Sequence, residues 1–307
     1  RLAICTNAHG ALAQVRSAWA SLQSKYDALL QANLHPHLPI DRHTLFTRCR
    51  VWIQREGFST ELTLACQTHF GTNPNPHTIY WHFNAPVGQG YTLPLTITLR
   101  MHEEINAIEL RFERRTPTPH AEELSSNQPI TLILRPDIED RPNHAITQAF
   151  TGPETHFPNA IQPHQDGFTF TPAPERQLLI QCPQSTFTIE PEWYYQIKHP
   201  IDQTRGTDGS SDLYSPGYFT IPLNDTTPAT LLASVNATPT FSPLTLNEPQ
   251  PQPLEDVLQN AIEAFIVQRE QLQTVIAGYP WFLDWGRDTL ICLRGIISAG
   301  RQTQAKA

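Results

Sequence analysis

Leu93-Pro94-Leu95-Thr96-Ile97-Thr98-Leu99 alternates apolar residues with proline and threonine, and Ile108-Glu109-Leu110-Arg111-Phe112-Glu113 repeats the alternation with charges. Successive side chains of a strand point to opposite faces, so each run presents one apolar face and reads as β. Shorter runs of the same kind occur at 130–134, 178–182, 186–190, 218–223 and 230–235. The gaps are rich in Pro, Asn, Asp, Gly and Thr, which is turn chemistry. Strands without intervening amphipathic helices point to an antiparallel arrangement rather than a βαβ fold. The expectation is a mainly β protein built on one large antiparallel β-sandwich.

Composition agrees with that reading. The 307 residues include 28 prolines against 14 glycines, a load that breaks long helices and settles at sheet edges and turns. A hydrophobic share of 39% is enough for a sizeable core. Charged residues make up 16% and the formal charge is −8, which leaves no basic footprint for a nucleic-acid partner. No apolar run approaches the ~20 residues of a membrane span. Arg1-Leu2-Ala3-Ile4-Cys5 has neither an initiator Met nor the blocks of a signal peptide, so the expectation is a cytoplasmic protein with an upstream piece removed. Five dispersed cysteines without a CxxC pair read as reduced core thiols. The sequons at Asn224 and Asn236 are chance matches among 13 asparagines.

The pattern changes at Asn247-Glu248-Pro249-Gln250-Pro251-Gln252-Pro253, where alternate prolines favour an extended connector. This divides the chain into a β domain (1–246), a Pro-rich linker (247–253) and a helical tail (254–307). In the tail, Leu254, Val257, Leu258, Ala261, Ile262, Phe265 and Ile266 form one helical face. A second helix is expected to start after Asp288 and end near Gly300. Two helices enclose no core of their own, so this tail packs on the β domain or belongs to a larger helical domain. Near the other end, Leu12, Val15, Trp19, Leu22, Tyr26 and Leu29 also fall at helical spacing.

The densest chemistry lies in Gly278-Tyr279-Pro280-Trp281-Phe282-Leu283-Asp284-Trp285-Gly286-Arg287-Asp288-Thr289. Flat aromatic faces suit the C–H face of a sugar ring, and an Arg beside an Asp offers donors and acceptors to neighbouring hydroxyls. The same residues also serve a structural reading, with Asp288 as a helix N-cap and the aromatics as interdomain core. Other candidates are weaker. Asp202, Asp208 and Asp212 do not have the spacing of a calcium loop, and His35, His37 and His43 match no zinc pattern, so no metal is expected. Cys292, on a face expected to be buried, has no histidine partner in sequence. Glu103-Glu104 and Glu122-Glu123, read as strand neighbours, would point to opposite faces and make no dyad.

The stretch Ala264-Phe265-Ile266-Val267, Thr274-Val275-Ile276-Ala277-Gly278-Tyr279-Pro280-Trp281-Phe282 and Asp284-Trp285-Gly286-Arg287-Asp288-Thr289 resembles the start of the catalytic domain of bacterial and archaeal glycogen-debranching enzymes, the amylo-α-1,6-glucosidases. The likeness continues through Leu293, Gly295, Gly300 and Arg301. Upstream, Arg205-Gly206-Thr207-Asp208 with Asp212-Leu213-Tyr214-Ser215-Pro216-Gly217-Tyr218-Phe219 is similar to that family's N-terminal domain. So are Leu134-Arg135-Pro136 with Asp140-Arg141 and His144, and, more loosely, Thr6-Asn7-Ala8-His9-Gly10, Ser24-Lys25-Tyr26-Asp27 and Pro39-Ile40-Asp41-Arg42-His43.

The resemblance implies a large β-sandwich (a supersandwich), a linker, and the first helices of a truncated (α/α)6 glucoamylase-like barrel of the six-hairpin kind. It places 25–30 on a strand, against the helical spacing, and we adopt the strand. It implies that Arg287 and Asp288 hold sugar hydroxyls while Trp281 and Trp285 line the pocket, and that no cofactor is used. The substrate class implied is a branched α-glucan, glycogen or a limit dextrin, hydrolysed at α-1,6 linkages with inversion. An inverting site needs a general acid and a general base, ~6.5–9.5 Å apart. The family's pair lies downstream, and residues 289–307 contain no Asp or Glu. The expectation is therefore an inactive fragment without catalytic residues, whose intramolecular partner is the rest of the barrel. The alternative is a non-catalytic module that binds glucan or scaffolds a barrel.

Overall fold

The computed structural model describes residues 1–74, 77–117, 122–223, 227–237 and 253–306. The chain opens with β1 (Leu2–Thr6), β2 (Leu12–Arg16), β3 (Ala28–Asn33), β4 (Arg42–Arg55), β5 (Phe58–Glu61) and β6 (Gln67–Pro74). Next come β7 (His77–Pro86), β8 (Thr92–Met101), β9 (Ala107–Arg114) and β10 (Ile130–Pro142). A short 3-10 turn (Ala149–Thr151) leads into α1 (Pro153–Asn159), β11 (Ile161–His164), β12 (Gly167–Ala173), β13 (Arg176–Gln181) and β14 (Thr186–Lys198). The β domain ends with α2 (Pro200–Thr204), β15 (Ser210–Leu223) and β16 (Ala229–Val235). After it come α3 (Leu254–Glu263), β17 (Ile266–Arg269), β18 (Leu272–Gly278), β19 (Phe282–Asp284), α4 (Gly286–Ser298) and α5 (Gln302–Lys306).

Among the described residues the strands form two eight-stranded antiparallel sheets and a small three-stranded one. The first sheet runs β1-β2-β3-β4-β10-β15-β14, with β5 paired to β4; the second runs β11-β12-β13-β16-β9-β8-β7-β6. Leu95 sits opposite Arg114 and Leu99 opposite Leu110, so the alternating runs pair as neighbours. Their apolar side chains join one core with Leu30, Phe46, Val51, Leu134 and Phe219 of the first sheet. Phe168 stacks near Phe219 at 6.4 Å across that core. The Trp81 indole on β7 meets Trp19 edge-on at 5.0 Å and donates to the Arg16 carbonyl at 3.2 Å. The sandwich expectation holds.

Several expectations change. The 12–29 stripe is a strand, a loop and the start of another strand: Leu12 and Val15 lie on β2, Trp19 and Tyr26 are loop residues turned into the interior, and Leu29 lies on β3. The adopted strand begins at Ala28, and 24–27 form a turn. The tail is not purely helical. α3 stops at Glu263, and the β-branched run Thr274-Val275-Ile276 pairs with β17 and β19 instead. Glu270, at φ 54, turns the β17–β18 hairpin. The second helix begins at Gly286, so Asp288 lies in its first turn and is not its cap. Glu103 and Glu104 occupy a bend between β8 and β9 rather than a strand.

The linker residues 247–252 and the sequon residues 224–226 lie outside the described residues. All five cysteines are free. Burial pushes the Cys5 and Cys182 thiols up to about 12. Cys292 is exposed, against expectation, because the face of α4 that carries it is uncovered. No helix among the described residues is long and apolar enough to cross a membrane.

Candidate functional site

The aromatic turn is fixed to the β domain by its backbone. The Pro280 carbonyl accepts hydrogen bonds from Asn143 Nδ2 at 2.8 Å and from the buried Arg42 guanidinium at 3.4 Å. Arg42 also donates to the Gly10 carbonyl at 3.0 Å and lies 5.0 Å from the centre of the Tyr279 ring. Burial pushes the Tyr279 phenol up to about 12. The next residue, Trp281, is hydrogen-bonded through its backbone to the His144 imidazole, whose Nδ1 meets Tyr26 Oη at 3.0 Å. Burial, then the nearby Lys25 and Arg42 cations, lower the His144 pKa, so a neutral ring sits between Tyr26 and the turn.

Those contacts stand on a buried polar platform. The Asp27 carboxylate accepts from Gln14 Nε2 at 2.9 Å, Arg16 Nε at 2.8 Å, and the backbone N–H groups of Gln23 and Ser24 at 2.8 and 3.0 Å. Asp202 accepts from Ser24 Oγ and from the Lys25 backbone N–H. Arg141 donates to the Lys25 carbonyl and pairs with Glu139, which also accepts from Thr47 and Thr147 hydroxyls at 2.7 Å each. A buried carboxylate is tolerated only when its lone pairs are occupied, and here they are. The 24–27 turn is thereby held from three sides, with Lys25 Nζ donating to the His144 carbonyl and to Asp208.

The four residues singled out from sequence divide into two groups. Trp281, 40% exposed, packs against the β domain: its ring lies edge-on to Tyr26 at 6.4 Å and under the Arg205 guanidinium at 4.8 Å. Trp285, Arg287 and Asp288 come together at the start of α4. The Arg287 guanidinium sits 5.7 Å from the Trp285 ring, and Phe282 meets that ring edge-on at 6.1 Å. Arg287 Nε lies 3.8 Å from Asp288 Oδ2, and the Arg287 side chain is 74% exposed. Asp288 Oδ2 receives no hydrogen bond. α4 is anchored by Thr289, whose hydroxyl bonds Thr274 Oγ1 at 3.1 Å and the Trp285 carbonyl at 3.0 Å. The result is an exposed cation against the Trp285 ring, beside a carboxylate whose Oδ2 is buried without a donor. Such a constellation can stack a ring and exchange hydrogen bonds with hydroxyls.

Lys25, Tyr26, His144, Arg205 and Asp208 are additions from the β domain. They lie inside quoted segments, but no periodicity or spacing relates loops more than 100 residues apart. The remaining candidates take structural parts. Asp212 accepts backbone N–H groups, Asp208 pairs with Lys25, and Asp202 holds the 24–27 turn. His35 Nδ1 accepts from the backbone N–H groups of His37 and Leu38, closing its own turn.

The family described as Glycogen debranching enzyme N terminal matches residues 1–230, and Amylo-alpha-1,6-glucosidase matches residues 260–307. No curated protein matches the chain. Among solved structures, a bacterial glucoamylase complexed with acarbose aligns over 100% of the chain at 10% identity with a TM-score of 0.42. The chain spans 52% of that protein's length.

Proposed function

We propose that this chain, which belongs to the glycogen debranching enzyme family, is the N-terminal part of a glycoside hydrolase that cleaves α-1,6 branch points of glycogen-like α-glucans with inversion. On this reading residues 1–246 are a β-sandwich domain, 247–253 a linker, and 254–307 the opening helices of an (α/α)6 barrel. The observation that carries it is the start of α4: an exposed Arg287 beside Asp288, whose Oδ2 has no donor, with Trp285 packed alongside. Arg287 and Asp288 hold hydroxyls of the glucose unit to be released, and Trp281 and Trp285 line its pocket. The β domain sets the position of Trp281 through Asn143, Arg42 and His144.

Inversion requires a carboxylic acid to protonate the leaving oxygen and a carboxylate to activate water on the opposite face of the sugar. On this reading neither group is among residues 289–307, which contain no Asp or Glu, and both belong to the family's catalytic region. The chain alone is accordingly inactive, and its intramolecular partner is the remainder of the barrel. The exposed apolar residues Leu254 and Leu258 of α3 and Leu290 and Ile291 of α4 support a covering helical region. Five unpaired cysteines support a cytoplasmic location. A second reading is a non-catalytic glucan-binding or scaffolding module, favoured by the extent of the β-sandwich in this chain.

The test is glucose release from a limit dextrin by the complete protein, with the anomer followed by NMR. Initial release of the β anomer is expected, and Arg287→Ala should lower kcat/KM by about 10- to 100-fold, the loss of a charged hydrogen bond. Initial α-anomer release, no glucose release, or glucose release by residues 1–307 alone would overturn the corresponding part of the reading.

A further inference from the structure

An open groove of ≈ 470 Å³ lies beside β14, an edge strand of the first sheet, and it shares no residue with the site at 281–288. Its most prominent wall is aromatic. Tyr195 is the last ring of a stack that begins in the core: the buried Phe157 lies 5.7 Å from Trp193 and nearly parallel to it, and Trp193 lies 6.3 Å from Tyr195, again nearly parallel. The Tyr195 hydroxyl donates to Glu154 Oε1 at 2.7 Å, so the ring is braced at its tip as well as along its face. It nevertheless remains 54% exposed. Phe150, on the 3-10 turn, is 78% exposed and lines the same groove.

One buried carboxylate joins the two lips. Asp212 Oδ1 accepts the Gln196 backbone N–H at 2.8 Å and Oδ2 accepts the Ala149 backbone N–H at 2.9 Å. Gln196 sits at φ 53, a left-handed conformation costly for a residue with a side chain, where the β14–β15 register slips between Tyr194 and Ile197. The buried carboxylate thus ties the backbone beside Phe150 to the backbone beside Tyr195. An exposed ring that is already immobile loses little entropy when something stacks on it.

The lining chemistry selects the ligand. Besides the two rings it offers hydroxyls and amides from Thr147, Gln148, Gln196 and Ser210, and the carboxylates of Glu154 and Asp212. Among the described residues no Lys, Arg or His lines it, so phosphates and nucleotides find no counter-charge. Both Asp212 oxygens serve the backbone and Glu154 serves Tyr195, which leaves no open cage for a cation. A neutral, polyhydroxylated ligand with flat apolar faces fits, and the volume lies in the range of pockets that enclose small molecules.

We infer that this groove is a second carbohydrate-binding site, which holds a short run of α-linked glucose units against Tyr195 and Phe150. The sugar class follows from the groove itself; its identity as an α-glucan rests on the proposed function.

The test is affinity electrophoresis of the 307-residue chain in native gels containing glycogen, dextran or no polysaccharide. Phe150→Ala, Tyr195→Ala and the double variant are compared with Trp281→Ala. Phe150 is so exposed that its removal leaves the fold intact, and unfolding midpoints check this for every variant. Glycogen should retard the wild-type chain, each single ring loss should weaken retention roughly tenfold, and the double variant should keep only the retention that the 281–288 site supplies. Trp281→Ala removes only what the 281–288 site contributes, so it should keep the part of the retention that depends on Phe150 and Tyr195. Unchanged retention in the double variant, loss confined to Trp281→Ala, or no retardation by either polysaccharide would overturn the site. Retardation by dextran alone, abolished in the double variant, would keep the sugar site and overturn its assignment to glycogen-like glucan.

Discussion

Asp27→Ala tests whether the 24–27 turn is the platform on which the aromatic turn rests. The Asp27 side chain is 1% exposed and accepts four hydrogen bonds, three from neutral donors and one from Arg16. All four bonds end on a charged carboxylate; at about 1.5 kcal/mol each they sum to about 6 kcal/mol, and because bonds sharing one acceptor group are not additive the expected loss is near 4–5 kcal/mol. The cost of breaking a buried ion pair by deleting one partner, roughly 3–5 kcal/mol, leads independently to the same range. Asp27→Asn keeps an acceptor for Gln23, Ser24 and Arg16 but loses the charge, so about half of that loss is expected. Urea unfolding followed by tryptophan fluorescence reads the difference, and the Asp27→Ala midpoint should fall by roughly 1–2 M. Because Lys25 and Tyr26 lose their support, Trp281 should also become more accessible to iodide quenching. A stability loss below about 1 kcal/mol, or equal losses for Ala and Asn, would refute the reasoning, because the carboxylate would then be replaceable by water or by any small side chain.

Two further outcomes follow from the same structure. Gly217→Ala should destabilise the chain by at least about 2 kcal/mol in the same urea assay, since an added Cβ would lie 2.0 Å from the Thr188 carbonyl oxygen across the β14–β15 pair, and backbone does not yield as a side chain does. Acidification should also destabilise it: His77, His82, His102, His144 and His199 all have pKa values lowered first by burial, His82 to about 4. Below pH 6.5 the unfolded chain takes up protons that the folded chain refuses, so stability should be full above that pH and decline as pH falls through 6 toward 4. Unfolding midpoints that stay flat between pH 7 and pH 5 would contradict this.

Period-two alternation made β8, β9, β13 and β16 legible because their apolar residues enter one core. The extension of β10 to Pro142 was hidden, since Arg135, Asp137, Glu139 and Arg141 are charged yet largely buried on the side away from that core. The apparent helix at 12–29 arose because Trp19 and Tyr26 are loop residues that also turn inward, and their spacing by three and four has no helical cause. In the tail, Phe265 and Ile266 continue the apolar spacing of α3 by coincidence, while the β-branched run at 274–276 carried the better signal. The glycine of Pro216-Gly217 has a plain reason that sequence alone does not display: the Thr188 carbonyl passes where a side chain would stand. At the site, aromatic density located Trp281 to Asp288, but the residues facing Trp281 come from three other loops and leave no local pattern.

The distribution of charge sharpens what those loops are for. In a chain with few charged residues, Asp27, Glu139, Arg141 and Asp202 are buried together at one end of the first sheet. Stability does not demand this, because well-packed apolar residues often replace a buried ion pair without loss. What a satisfied polar cluster provides that an apolar one does not is direction, since each hydrogen bond fixes an angle as well as a distance. The directions here end on backbone: the Lys25 carbonyl, the Lys25 N–H, and then, through Lys25, Tyr26 and His144, the carbonyl of the aromatic turn. A sugar-binding ring must be placed to within a fraction of an ångström to favour one orientation of its ligand. If Trp281 lines a glucose pocket as proposed, the part of the β domain is to fix the position of that ring. Loosening the cluster should change substrate affinity before it changes the chemistry.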